Sequence, residues 1–231
     1  MKYITILIPL YNGSEFLKDS LTSILNQTYK KWELIIGING HLDDKLFFNN
    51  IKNIVNDIIK NSNINFVPDI RIINYNTKGK PYTLNAMVLD SKYEYISLLD
   101  VDDIWLPTKL EEQLPFLEDY DIVGTKCKYF GTMDGSPNIP TGNISNHDFF
   151  LFNPMINSST IIHKNNAIWS DNGDGLDDYD MWFRLKFENK KFYNIDNILC
   201  LHRIHPQSAF NNSNYNYLID LKNKWRKTFN T

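Results

Sequence analysis

Short apolar runs alternate with amphipathic segments along the first hundred residues, and no other feature of the chain restricts its fold as tightly. Tyr3 to Leu10 reads as a buried strand. Gly13 to Asn26 reads as a helix with Ser14 as N-cap and Phe16, Leu17, Leu21, Ile24 and Leu25 as its apolar stripe. Strands are predicted again at Trp32–Ile38, Ile70–Tyr75 and Tyr95–Leu99, with helices at Leu46–Ile59 and Tyr82–Leu89 between them. A strand, a helix and a strand within so few residues demand parallel pairing and a right-handed crossover. The expected class is therefore α/β, a doubly wound, mostly parallel and Rossmann-like sheet.

Such sheets bind ligands beyond the carboxyl ends of their strands. Three loops fall there: Pro9-Leu10-Tyr11-Asn12, Asn39-Gly40-His41 and Asp100-Val101-Asp102-Asp103. The last delivers three carboxylates within four positions to the end of a buried strand. Carboxylates crowded in that way repel one another unless a cation or hydrogen bonds compensate, and a hard divalent ion, Mg²⁺ or Mn²⁺, is the natural partner. Such an ion completes its shell with water and phosphate oxygens, so a phosphate-bearing substrate follows. An acidic turn facing solvent is the plainer alternative. No glycine-rich dinucleotide fingerprint or Walker-type Gly-Lys-Ser/Thr is present, which argues against a nicotinamide oxidoreductase or a P-loop ATPase.

Beyond Asp103 the alternation stops. Pro107–Leu117 is expected as a short helix, Asp121–Phe130 and Ser158–His163 as strands, and the Gly/Pro/Asn/Ser-rich stretch 131–147 as a loop. A second acidic run, from Asp174 through Asp177, Asp178 and Asp180, leads into a helix over Asp178–Phe187. Carboxylates at a helix start are favoured by its dipole, and one of Asp177 and Asp178 is expected as a simple cap. The surplus acid is a candidate general base for a hydroxyl. Two short strands, Phe192–Ile195 and Ile198–Ile204, run into His202-Arg203-Ile204-His205-Pro206, where an imidazole suits a metal and a guanidinium a diphosphate. A histidine before proline is also an ordinary turn residue. The last helix, Tyr215–Phe229, carries Leu218, Leu221, Trp225 and Phe229 on one stripe with Lys222, Lys224, Arg226 and Lys227 around it. The stripe is read as packing on the domain or on a second subunit, a homodimer, and its basic flank keeps peripheral membrane contact open.

A net charge of −3 and a pI near 5.9 exclude a nucleic-acid binder working by bulk electrostatics. The apolar opening is short, ends at Pro9 and lacks a small-residue cleavage site, so it reads as a strand rather than a signal peptide. No apolar run is long enough to span a bilayer. Cys127 and Cys200 make neither a disulfide framework nor a zinc site, which points to a reducing, cytoplasmic setting, soluble or peripheral. Abundant Asn, Ile and Lys, with arginine only at 71, 184, 203 and 226, suggest an A+T-rich genome, bacterial or of a large virus.

Seven blocks taken in order closely resemble the family-2 glycosyltransferases of GT-A fold: Ile6–Asn12, Ser23–Thr28, Trp32–Ile36, Lys78-Gly79-Lys80 with Leu84-Asn85, Leu99–Asp103, Asp177–Asp180 and His202–Pro206. The resemblance implies one domain over 1–231, with a nucleotide-sugar half at 1–103 and an acceptor and base half at 104–231. It implies inverting transfer of a single sugar from a nucleotide-diphosphate donor, most often UDP, to a hydroxyl of a glycan, lipid or protein. By the same resemblance Asp102 would bind the divalent ion with Asp100 and His205 beside it, and Asp103 would assist. Asp178 would be the catalytic base. Pro9, Tyr11, Asn39 and Val101 would line the nucleotide pocket with Asp100, and Lys78 would meet nucleotide or phosphate. Two departures stand out. Asn39-Gly40-His41 replaces an acidic pair, which implies altered nucleotide preference, since asparagine both donates and accepts. Asp177-Asp178 replaces Glu-Asp. The processive members' Gln-x-x-Arg-Trp motif is missing, so a single addition is expected. A phosphatase of the haloacid-dehalogenase type, whose Asp-x-Asp also follows an apolar strand, and a degenerate sugar-nucleotide-binding module are the competing readings.

Overall fold

The computed structural model describes residues 2–41, 43–171, 175–208 and 215–229. Asp174, which opens the second acidic run, lies outside the described residues. In chain order the strands are β1 (Ile4–Leu10), β2 (Trp32–Asn39), β3 (Asp69–Tyr75), β4 (Tyr95–Leu98), β5 (Ile104–Trp105), β6 (Ile122–Gly131), β7 (Gly142–Asn143), β8 (Ile161–His163) and β9 (Phe192–Ile204). The helices are α1 (Leu17–Leu25), α2 (Lys45–Asn61), α3 (Lys80–Asp90), α4 (Lys109–Gln113), α5 (Asp177–Phe187) and α6 (Tyr215–Phe229).

All nine strands join one sheet in the order β3-β2-β1-β4-β8-β6-β9-β5, with β7 also on β9. The first four are parallel, with Ile4 opposite Trp32 and Tyr95, and Glu33 opposite Asp69. Their residues are apolar on both faces because helices cover both. Ile6, Ile8 and Leu10 of β1 and Leu34, Ile36 and Ile38 of β2 pack under α1 and α2. Leu7 and Ile35 face the other way, toward Leu84 and Met87 of α3 and Trp182 and Phe183 of α5. Gly37 of β2 lies where α3 approaches most closely, and a Cβ there would overlap the Met87 side chain.

The second half of the sheet is mixed. β8 runs antiparallel to both β4 and β6, whereas β6 and β9 are parallel to each other. The two expected strands after Phe192 are one, β9, whose pairing with β6 slips at Thr125 to Cys127 and so absorbs the polar Asp196-Asn197 break. The first helix also starts late: Ser14–Phe16 is a 3₁₀ turn behind a left-handed Gly13, and Ser14 makes no cap. Likewise the predicted 107–117 helix is α4 followed by a 3₁₀ turn at Leu114–Glu118, as Pro115 dictates by lacking an N–H. Cys127 and Cys200 face each other in register as free, buried thiols. Among the described residues no helix is long and apolar enough to cross a membrane.

Candidate active site

The chain leaves β4 at a tight turn, in which the Asp103 N–H donates to the Asp100 carbonyl over 3.0 Å. That turn sends its three carboxylates in different directions. Asp100 turns to the Lys80 ammonium at 2.6 Å and also accepts from Ser158 Oγ at 3.3 Å. Asp102 Oδ2 lies 3.0 Å from His205 Nε2. Asp103 is wholly buried, 3.0 Å from His202 Nδ1 and accepting the Arg203 N–H at 2.9 Å. Asp103 therefore joins the turn to β9 rather than assisting at a metal. Burial by itself would lower His202, but the hydrogen bond to Asp103 and the charges of all three aspartates outweigh it and bring its pKa up to about 9.

Two cavities flank this turn. The first, of about 780 Å³, is lined by Pro9, Tyr11, Asn39, Lys78, Val101 and Asp102. Every residue expected at the nucleotide pocket is brought together here. Asn39 is buried at the end of β2, Tyr11 is largely exposed, and Lys78 stands exposed at the wall. His41, two residues beyond Asn39, stacks on Phe47 at 3.9 Å between ring centres. The second cavity, of about 740 Å³, is lined by Asp177, Asp178, Asn153, Tyr129, Phe152 and Leu176 among others. The two cavities share Gly79, Lys80, Asp100 and His202.

Asp178 sits in the first turn of α5, where neither it nor Asp177 makes the expected side-chain cap. Its Oδ1 accepts the neighbouring Tyr179 N–H at 2.7 Å and its Oδ2 accepts from Asn153 at 3.3 Å. Burial, and then the charge of Asp177, push its pKa up to about 6 against the pull of Lys80. Asp180 is not a spare acid. It is buried, and its Oδ1 accepts from Trp225 Nε1 at 2.6 Å and Lys224 Nζ at 2.8 Å, which pins α6 against α5.

Lys80 was not singled out from the sequence, where Lys78 carried the expectation. Only Lys80 starts α3, directly after the left-handed Gly79, and that start aims it at Asp100. Its pKa is raised: burial opposes this, but the charges of Asp100, Asp177 and Asp178 prevail. Asn153 and Ser158, also unforeseen, come from the largely apolar segment before β8, which starts at Ile161, so that Ser158 lies in a 3₁₀ turn rather than in the expected strand. Arg203 lines neither cavity: its guanidinium lies between the Phe16 and Phe130 rings and donates to the Asp102 carbonyl at 2.9 Å and to Asp19 at 2.7 Å.

Among the described residues no three carboxylate, imidazole or thiol groups converge on one point. The donor set still suits a hard divalent cation. Asp100 and Asp102 line one cavity, and Asp102 has its pKa raised by burial and by repulsion from Asp103 and Asp100, a state that a cation relieves. Ions of the Mg²⁺ and Mn²⁺ kind take one or two carboxylates and leave the remaining positions to water and phosphate.

Comparison with known proteins agrees with this layout. Residues 5–172 match the family model described as glycosyl transferase family 2. The chain is 28% identical over 222 residues to the Escherichia coli UDP-Glc:alpha-D-GlcNAc-diphosphoundecaprenol beta-1,3-glucosyltransferase WfaP, covering 90% of this chain and 80% of that one. It is 27% identical over 231 residues to the putative glycosyltransferase EpsE of Bacillus subtilis, covering 94% and 78%. Among solved structures, TarS of S. aureus in complex with UDP-GlcNAc superposes with a TM-score of 0.73 at 13% identity, over 96% of this chain and 66% of that one. The mannosyltransferase PcManGT of Pyrobaculum calidifontis, in complex with GDP-Man and Mn²⁺, gives 0.64 at 12% identity, over 90% and 58%. These likenesses establish the GT-A type of fold. With the family model matching well over half its length, the chain belongs to glycosyl transferase family 2 and is a glycosyltransferase.

Proposed function

We propose that the protein transfers a single sugar from a UDP-sugar to a hydroxyl of a glycan, lipid or protein acceptor, with inversion at the anomeric carbon. The observation that carries this reading is the meeting of two cavities at Lys80, Asp100 and His202, with Asp102 on one side and Asp178 on the other. Residues 1–103 supply the strand ends of the donor cavity. Residues 104–231 supply the base and most of the acceptor cavity.

In this scheme Asn39 reads the edge of the base, with Pro9, Tyr11 and Val101 as the walls around it. Lys78 meets nucleotide or phosphate, and Asp100 and Asp102 form the side of the cavity that meets the diphosphate, with His205 against Asp102 at 3.0 Å. A Mg²⁺ or Mn²⁺ ion held by Asp102 and Asp100, with His205 alongside, would neutralise charge on the departing diphosphate as a Lewis acid. Asp178 takes the proton of the acceptor hydroxyl while that oxygen bonds to the anomeric carbon and the bond to the diphosphate breaks from the opposite face. A carboxylate whose pKa is about 6 is mostly ionised at neutral pH yet more basic than a solvated one, as a general base requires. Asn153 and the Tyr179 N–H hold it in place. The UDP preference rests on WfaP, whose name specifies UDP-Glc, and on TarS, whose structure holds UDP-GlcNAc.

Thermal melts of the protein with UDP-, GDP-, dTDP- and CMP-sugars, each with and without Mn²⁺ or Mg²⁺, test the donor assignment. A metal-dependent rise in Tm with UDP-sugars is the expected result, since ligands that bind the native state stabilise it by mass action. A rise with another nucleotide alone would reassign Asn39. No rise with any donor would return the weight to a degenerate module.

A further inference from the structure

Charge on this protein is segregated. The whole chain carries −3, yet α6 has four cationic residues against the single carboxylate of Asp220. One of the four, Lys224, is neutralised by Asp180 on the side that packs against α5. Leu221 and Trp225 fill the buried side, with Leu218 half-buried beside them.

Ile219, Lys222, Arg226 and Phe229 follow at i, i+3, i+7 and i+10, so they form one stripe along the flank of the helix. Ile219 and Phe229 are exposed despite their size. Lys222 Nζ donates to the Leu151 carbonyl at 3.4 Å, and the Arg226 guanidinium lies 5.3 Å from the Phe150 ring centre. The stripe thus runs alongside the loop that carries Leu151, 63% exposed, and Phe152, 39% exposed. Phe152 belongs at once to this surface and to the wall of the cavity that contains Asp178. Ile219 and Phe229 bracket the two cations, and the half-covered Phe229 ring meets Phe150 at 5.8 Å between centres, which joins the flank to that loop. Basic and apolar residues mixed on one flank complement a surface that is anionic outside and apolar within.

From this juxtaposition we infer that the flank of α6 and the Leu151-Phe152 loop dock on an anionic lipid bilayer, which sets the mouth of the Asp178 cavity at the membrane. Cations of the stripe meet headgroups while Leu151, Ile219 and Phe229 enter the boundary below them. Resting on the function proposed above, this assigns the acceptor to hydroxyl compounds anchored in a membrane and reached without leaving it.

Vesicle co-sedimentation tests the inference without any acceptor. Binding is expected to vesicles of phosphatidylcholine with phosphatidylglycerol, to be weak to phosphatidylcholine alone, and to fall as salt is added. The double variant Lys222→Gln/Arg226→Gln should bind on the order of twenty-fold more weakly, from roughly fivefold per cation near such a surface. Leu151→Asp should lose binding at unchanged net basic charge on α6. Melting temperatures and nucleotide-dependent melts of the same samples report folding and the donor site separately, so a failed donor assignment is distinguishable from a failed docking surface. Wild-type protein that ignores anionic vesicles, or variants that fold and bind as the wild type does, would overturn the inference. So would light scattering that shows the stripe buried in a dimer which Leu151→Asp dissociates.

Discussion

Asp178 holds its position at a cost. Because its folded pKa is raised to about 6 from 3.8, the folded state binds more protons than the unfolded one between those values. Stability is therefore lost as pH rises through that window, and at neutral pH the full penalty is present. Asp178→Asn keeps an acceptor for the Tyr179 N–H and removes the charge, at the expense of the hydrogen bond from Asn153. It is expected to melt higher than wild type at pH 7, with the difference vanishing below about pH 4, while transfer falls by about 10²–10⁴. The wild-type rate should decline as pH drops through about 6. Melts and initial rates across pH decide both, and an unaltered rate would remove Asp178 from the base assignment.

Lys109 shows the opposite sign. It is wholly buried on the first residue of α4, donating to Gln113 Oε1 at 2.7 Å and Ser97 Oγ at 3.3 Å, 4.0 Å from the Trp105 ring centre. Desolvation lowers its pKa to about 7, with the nearby Cys200 opposing slightly. The unfolded chain holds the lysine proton up to about 10.5, so stability should rise with pH between 7 and 10.5 from this group. Lys109→Met is expected to flatten that rise and to be the more stable protein at pH 7. Denaturant midpoints at pH 7 and 10 provide the measurement.

At the scale of elements, the site depends on how closely helices approach strand ends. α3 can begin at Lys80 and aim it at Asp100 because Gly37 lets Met87 rest on β2. Gly37→Ala should cost about 1–3 kcal/mol by overpacking. Gly37→Ala/Met87→Ala should cost less than the sum of the single changes, measured as a double-mutant cycle in urea. Gln27 is instructive in a different way. It belongs to a block shared with the family resemblance, yet it is buried and lines neither cavity. Its Nε2 donates to the Leu106 carbonyl at 2.8 Å and its Oε1 accepts the Leu110 N–H at 3.1 Å, so it ties α1 to the segment that follows β5. A polar residue in a motif was here a buried clamp, and only its surroundings distinguish the two uses.

For the molecule as a whole, the family match ends at residue 172, but the structure does not. β9 extends the sheet while α5 and α6 cover its far face, and Trp225 joins the two helices through Asp180 and stacks with Phe183 at 6.1 Å. Trp225→Ala is expected to cost about 3–5 kcal/mol, read from chemical unfolding, and to leave one cooperative transition. Two transitions would mean that α6 folds apart from the sheet.

Local pattern was enough for the parallel half of the sheet and for the acidic loop that leaves β4, because apolar periodicity and crowded charge are written within a few residues of each other; the choice of Asp178 over Asp177 came from the family resemblance. That the strand-end loops share one cavity was also legible in the local pattern, since one loop after another opens on the same edge of a parallel sheet. Partnership was not. Whether Asp103 faces a ligand or β9, whether Lys78 or Lys80 meets Asp100, and whether Asp180 is a base or an anchor turned on residues 20 to 100 positions away. Nor does local sequence contain the antiparallel direction of β8 or the continuity of β9, whose polar break is tolerated because β6 slips beside it. A side chain's type is set where it stands, but its charge, pKa and role are set by what the fold brings against it.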